Sequence, residues 1–92
     1  MKIHLHYSAY IRQQIPQPDE VYEAEDSCTL QELIGRLADR YGDAFGESVF
    51  DAPGRLRPMI LLSLNDQQVD WRQPVILKDG DRVALLSPIA GG

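Results

Sequence analysis

Residues 29–42, Thr-Leu-Gln-Glu-Leu-Ile-Gly-Arg-Leu-Ala-Asp-Arg-Tyr-Gly, bind this chain to one amphipathic helix. Leu30, Leu33, Ile34, Leu37, Ala38 and Tyr41 recur at helical spacing and make a single apolar stripe. Thr29 and Glu32 form a capping box: the Thr29 hydroxyl accepts from the Glu32 N–H, and Glu32 reaches back. Gly42 is placed to stop the helix in a left-handed conformation. The predicted helix is 30–41, and its stripe needs an apolar surface to cover it.

The remaining segments supply strands. Residues 2–8 alternate, with Ile3, Leu5 and Tyr7 on one face and Lys2, His4, His6 and Ser8 on the other. Tyr10 to Asp19, with Pro16 and Pro18, reads as a loop. Glu20 to Asp26 alternates weakly around Val21 and Ala24; its acidic residues suit an edge strand that resists pairing with other chains. Met59 to Leu64 is a strongly apolar strand, Asn65-Asp66 starts a turn, and Gln68 to Trp71 reads as a short strand. In Asp43 to Pro58 the spacing of Phe45, Val49 and Phe50 suggests a short helix patching the core, and Pro53-Gly54 and Pro58 bracket a turn.

The last fifteen residues begin with an Asp79-Gly80 turn, where Gly80 supplies a positive φ. A strand follows from Arg82 to Ser87, with Val83 and Leu85 on one face and Ala84 and Leu86 on the other. Pro88 ends it, having no N–H for a ladder. Ile89, Ala90, Gly91 and Gly92 close the sequence. Glycine has no Cβ, so such a tail can enter a narrow channel in another protein, and its reactive group is the Gly92 carboxylate.

The element order is hairpin, helix, strand, short strand, strand. It predicts an α+β, β-grasp (ubiquitin-like) domain: a mixed sheet of four to five strands, one main helix on one face, and the first and last strands parallel in the middle. Leu33, Ile34 and Leu37 are expected to pack on Ile3, Leu5, Ile60, Leu62, Leu64, Val83 and Leu85. The division is a domain over 1–87 and a flexible tail over 88–92, where little apolar surface holds the chain down.

The Asp-Gly-Asp turn at 79–81, the strand from Arg82, Pro88 and the closing Ile-Ala-Gly-Gly resemble the ubiquitin-like sulfur-carrier family. Its members include the small subunit of molybdopterin synthase and the carrier of thiamine biosynthesis. The resemblance is specific over residues 59–92. It implies that Gly92 is adenylated by an E1-like adenylyltransferase using ATP, then converted to a thiocarboxylate that donates sulfur. Pro88, Ile89, Ala90 and Gly91 would thread into the partner. A sulfurtransferase or cysteine desulfurase would supply the sulfur, and a catalytic large subunit or another sulfur-accepting enzyme would take it. Asp43 to Pro58 is longer than in the thiamine-pathway type. It looks like a subset of the family that serves either pterin or amino-acid synthesis.

Composition excludes several classes. Ninety-two residues, 43% hydrophobic, make one small domain with a modest core. A net charge of −5 argues against nucleic acid and suits a basic docking surface on a partner. The single cysteine, Cys28, forbids an internal disulfide. There is no signal-peptide core and no apolar run near the roughly eighteen residues of a membrane span. A bacterial-type cytoplasm is the expected compartment.

His4 and His6 share a strand face but have no visible third ligand, so they read as surface histidines and no metal is expected. Cys28 sits beside the N-cap, where a helix dipole can lower a thiol pKa and suit a sulfur source; a small half-buried, merely packed residue is the plainer reading. Asp79-Gly80-Asp81 lacks the later ligands of a calcium loop and reads as a turn. Trp71 reads as a plug under a loop. No nucleophile–base pair and no phosphate-cradling loop occurs, so the chain reads as a carrier or protein substrate without a bound cofactor rather than as an enzyme.

Leu61, Ala84 and Leu86 are expected on the sheet face away from the helix, with His6 and Ser8, as a partner-docking patch at the root of the tail. Three functions remain open at this point: a sulfur carrier, a ubiquitin-like modifier joined to lysines through Gly92, and a non-conjugated interaction module. Among sulfur carriers, the small subunit of molybdopterin synthase leads and a carrier for cysteine or another thio-metabolite follows.

Overall fold

Helix formation follows the local signals of residues 29–42. The computed structural model describes residues 1–8 and 19–87. Helix α1 is Leu30–Tyr41, and both halves of the Thr29/Glu32 capping box are made. Leu30, Leu33, Ile34 and Leu37 are fully buried beneath it. Gly42 ends it with φ 88° and ψ −170°, an extended conformation open to glycine rather than the left-handed helical one expected. Its N–H still returns to the Ala38 carbonyl at 2.9 Å. The extended ψ sends the chain directly into a second helix, α2 (Asp43–Val49), whose Phe45 and Val49 are fully buried.

The main sheet is built from β1 (Lys2–Tyr7), β2 (Asp19–Glu23), β5 (Leu61–Leu64), β6 (Gln67–Gln68) and β7 (Arg82–Leu86), in the order β2-β1-β7-β5-β6. As expected of a β-grasp fold, β1 and β7 run parallel at its centre, with Leu5 beside Val83 and Tyr7 beside Leu85. Strand β5 flanks β7 antiparallel, pairing Leu62 with Leu85 and Leu64 with Val83. Every second residue of these strands enters the core: Ile3, Leu5, Tyr7, Leu62, Val83 and Leu85. Ile60 joins them from just before β5, while Leu64 is only half-buried.

Several segments differ from expectation. Asp19 is the first residue of β2 rather than part of a loop, and β2 stops at Glu23. The inward residues of β2 are Glu20 and Tyr22, while Val21 is 53% exposed on the other face. The reason is a polar node. The Glu20 carboxylate accepts from the Tyr7 hydroxyl at 2.7 Å and the Tyr41 hydroxyl at 2.6 Å, so an acid sits on the inner face with its acceptors satisfied. Phe45 packs against both rings, edge-on to Tyr7 and tilted on Tyr41.

Strand β5 begins at Leu61, because Met59 and Ile60 lie in a turn closed by Ile60 N–H to the Arg57 carbonyl at 3.0 Å. Asn65 and Asp66 both take positive φ, 52° and 70°, giving a two-residue hairpin whose primed turn matches the strand twist. That turn pulls β6 forward to Gln67–Gln68 and leaves Trp71 outside any strand. A second, two-stranded sheet, β3 (Phe50–Ala52) with β4 (Arg55–Leu56), surrounds the Pro53-Gly54 turn, where Gly54 has φ 74°. The Trp71 ring packs on Phe50 with centroids 5.8 Å apart, and its Nε1 donates to the Gly54 carbonyl at 3.1 Å. Gln31 ties α1 to the following loop by donating to the carbonyls of Trp71 and Gln73, both at 2.9 Å.

Replacing Leu33 or Leu85, each fully buried, by alanine should cost roughly 2–5 kcal/mol, the range for a leucine cavity. Urea denaturation of either variant checks this, and an unchanged midpoint would mean the core is assigned wrongly. Burial first, then the bond to Glu20, raises the pKa of both phenols, with Tyr41 pushed up to about 12. An unfolded tyrosine ionises near about 10. Both folded values are raised, so the contribution is intact below about pH 10; for Tyr41 it is lost as the pH rises through about 12, and for Tyr7, raised further, the loss extends above that. A Tyr7→Phe/Tyr41→Phe variant should lose stability less steeply than the parent across that window in alkaline denaturation.

Candidate functional site

The described chain leads to the tail through the end of β7, and that end is clasped. Ser8 N–H donates to the Leu85 carbonyl at 3.0 Å, and Ser87 N–H donates to the Ser8 hydroxyl at 2.7 Å. The bond spans nearly the whole chain in sequence and holds the last described residue against the end of β1. Pro88, Ile89, Ala90, Gly91 and Gly92, and the expected flexibility of this tail, lie outside the described residues.

Beside this clasp, the alternation of β5 and β7 turns Leu61, Ala84 and Leu86 to the sheet face away from α1. Leu61 and Leu86 are directly opposite each other across the antiparallel pair, as are Ser63 and Ala84. On the parallel side His6 neighbours Ala84. Leu61 is 38% exposed, and Ala84 and Leu86 are half-buried. Two facing leucines in an antiparallel pair lie side by side, so they form one apolar patch rather than two isolated side chains. The face continues towards β2 as a shallow groove of about 390 Å³ lined by His4, His6, Val21 and Arg82.

The opposite end of β7 is braced by carboxylates. Asp79 accepts from the Lys2 N–H at 2.7 Å, and Asp81 accepts from the Lys78 N–H at 2.8 Å and from the Asn65 amide at 3.0 Å. Gly80, with φ 88°, donates to the Lys2 carbonyl at 2.8 Å. These acids are spent on the turn, as read from the sequence. His6 Nδ1 and Asp19 Oδ1 lie 2.7 Å apart in the open, and among the described residues no three ligands gather for a metal.

Cys28 is 4% exposed and its thiol contacts the Thr29 carbonyl at 3.4 Å. Burial, with the negative charge of Glu32 second, pushes the thiol pKa up. The packed reading holds, and the dipole of α1 does not activate it. Trp71 is the half-buried plug expected. Sequence reasoning missed the Ser8–Ser87 clasp, which joins residues that only the parallel pairing brings together. It also missed the pairing of His6 with Asp19, because Asp19 was assigned to a loop.

Comparison with known proteins identifies the architecture. The sequence model of the ThiS family matches residues 5–92. The chain belongs to the ThiS family. Small archaeal modifier protein 3 of Haloferax volcanii is 26% identical over 94 residues, covering all of both chains. The crystal structure of SAMP1 from Haloferax volcanii superposes with a TM-score of 0.85 at 18% identity, again over all of both chains. A chain of the complex of subunits 1 and 2 of the molybdopterin-converting factor of Helicobacter pylori 26695 is 26% identical with a TM-score of 0.57, covering all of both chains. ThiS-family membership and these likenesses make the protein a ubiquitin-like member of the carrier and modifier group, and a homologue assembles with a partner subunit.

The buried thiol generates a direct expectation. In the native protein Cys28 should react with a disulfide reagent at mildly alkaline pH far more slowly than after denaturation in guanidinium. Equal rates would mean the residue is open or its helix end is frayed.

Proposed function

We propose that the protein is a sulfur carrier whose Gly92 carboxylate is activated and converted to a thiocarboxylate, acting as the small subunit of molybdopterin synthase. The observation that carries this reading is the facing Leu61–Leu86 pair, set beside the clasped end of β7 from which the Gly91-Gly92 tail follows. A partner gripping that patch with Ala84 would hold the tail at a fixed root and direct Gly92 into its own active site. Family membership through Gly92, and the Helicobacter pylori homologue that assembles with a second subunit, support it.

The chemistry balances simply. An adenylyltransferase joins the Gly92 carboxylate to the α-phosphate of ATP and releases pyrophosphate. A persulfide sulfur from a sulfurtransferase or cysteine desulfurase then displaces AMP from the acyl carbon. Reductive cleavage of the resulting acyl disulfide by a thiol leaves the thiocarboxylate, which the large subunit consumes. The catalytic groups belong to the partners, and the chain supplies the acyl terminus and the docking face; it needs no cofactor of its own.

A second reading has its own support. The relative from Haloferax volcanii, aligned over the whole chain, is a modifier protein. In that reading a lysine amine, not a sulfur, displaces AMP and forms an isopeptide bond.

Intact-mass analysis decides between them. The protein is first weighed to establish that Gly92 is terminal, then incubated with an adenylyltransferase, ATP and a sulfur donor. A gain equal to the difference between sulfur and oxygen, lost on deleting Gly91 and Gly92, supports the carrier. Conjugates on a denaturing gel without that gain support the modifier, and neither outcome leaves only an interaction module. Leu61→Asp with Leu86→Asp should keep the fold, since both side chains point out of the core, while activation falls sharply. A folded double variant activated as well as the parent would remove this face from the mechanism.

A further inference from the structure

Residues 43–58 contribute to a second surface, apart from the Leu61–Leu86 face. The β3–β4 hairpin, the turn before β5 and residues 68–72 enclose an open groove of about 630 Å³. Its floor is apolar: Leu56, Ile60, Leu62, Val69 and Trp71. Its rim carries three arginines, Arg55, Arg57 and Arg72, against one acid, Asp70. Asp51 and Asp70 meet two of these three charges, which leaves Arg57 as the site's one unpaired positive charge in a chain of net charge −5.

The arginines are positioned. Arg55 forks onto Asp51 at 2.7 and 3.3 Å, and Arg72 forks onto Asp70 at 3.1 and 3.2 Å. Arg57 differs. Its backbone N–H donates to the Val49 carbonyl at 2.8 Å, and its Nε donates to the Glu47 carbonyl at 2.6 Å. Both partners are neutral carbonyls at the end of α2. Among the described residues its guanidinium forms no ion pair within 4.0 Å, the Asp51 carboxylate acting on it only at longer range, and its two Nη groups have no hydrogen-bond partner. A guanidinium fixed at Nε and open at both Nη atoms is prepared to receive a carboxylate through two parallel bonds.

We propose that this groove is a docking site for an acidic, apolar segment of a partner protein: a carboxylate on Arg57, with a bulky aliphatic side chain on the floor beside Trp71. Charge complementarity selects the acid. The apolar floor selects a peptide over nucleic acid, which would need a continuous basic track. Ile60 and Leu62 face the helix side of β5, whereas Leu61 faces the other, so the groove and the Leu61–Leu86 face can be occupied at once. The proposal does not depend on Gly92 or on the carrier reading.

Trp71 is the only tryptophan, so its fluorescence reports the groove. A random heptapeptide display library is selected on the full-length protein, and the enriched sequences are synthesised without tryptophan and titrated. The expected result is enrichment of Asp or Glu next to Leu, Ile, Val or Phe. Saturable quenching or enhancement of Trp71 should weaken at least tenfold in Arg57→Gln and again as salt rises. Because Arg57 also bonds the end of α2, Arg72→Glu on the far rim serves as a second variant, and it too should weaken binding. Selection of basic or purely apolar peptides, no enrichment at all, or unchanged affinity in both variants would overturn the proposal. So would displacement of the peptide by a short oligonucleotide at equal concentration, which would assign the groove to nucleic acid.

Discussion

The parallel pairing of β1 with β7 is the contact on which the rest depends. It joins the two most distant described strands of the sequence, and the loop-closure cost of doing so is met by burying the inward residues of both strands under α1. Everything local is subordinate to it. The Asp79-Gly80-Asp81 turn anchors one end of the pair through Lys2, and the Ser8–Ser87 bond anchors the other. With β7 central, β2 and β6 are left as the edges, and both are short and polar, which limits pairing with other chains.

That arrangement divides the molecule by function. The helix side of the sheet holds the core. The opposite side has little structural duty, since a single layer of helix covers a single face. Leu61, Ala84 and Leu86 lie on that uncovered side. Residues 43–58 add a third region: α2 seals the end of the core with Phe45 and Val49, and the β3–β4 hairpin extends beyond it. Trp71, from the loop after β6, both fastens that hairpin through the Gly54 carbonyl and lines the groove beside it.

What the sequence made legible follows the range of the interactions. Helix α1 was readable to the residue because its start and stop are written within four positions of each end. The order of the central strands was readable because alternation is local and the crossover has one favoured hand. Strand β2 was misjudged because Glu20 faces inward only when Tyr7 and Tyr41, distant in sequence, bring their hydroxyls to it. The early start of β6 turned on two non-glycine residues accepting positive φ, which composition alone does not announce. The outward parity of Leu61, Ala84 and Leu86 could be read from alternation, but the pairing of Leu61 with Leu86 required the register. The groove could not be read at all: Arg55, Arg57 and Trp71 were visible as residues, and only the packing of Trp71 on Phe50 and Gly54 sets them around one space.

The central place of β7 has a mechanical side. A strand at the edge of a sheet peels away one hydrogen bond at a time when its end is pulled sideways. β7 is held on both flanks, by β1 running with it and β5 running against it. A pull along its axis, from a protein gripping the residues beyond Ser87, loads both ladders together in shear. The Ser8–Ser87 bond meets that load first and passes it to β1, which is anchored at its far end by the Asp79–Asp81 turn. Traction on β7 would therefore be spread through the middle of the sheet rather than taken up at an edge.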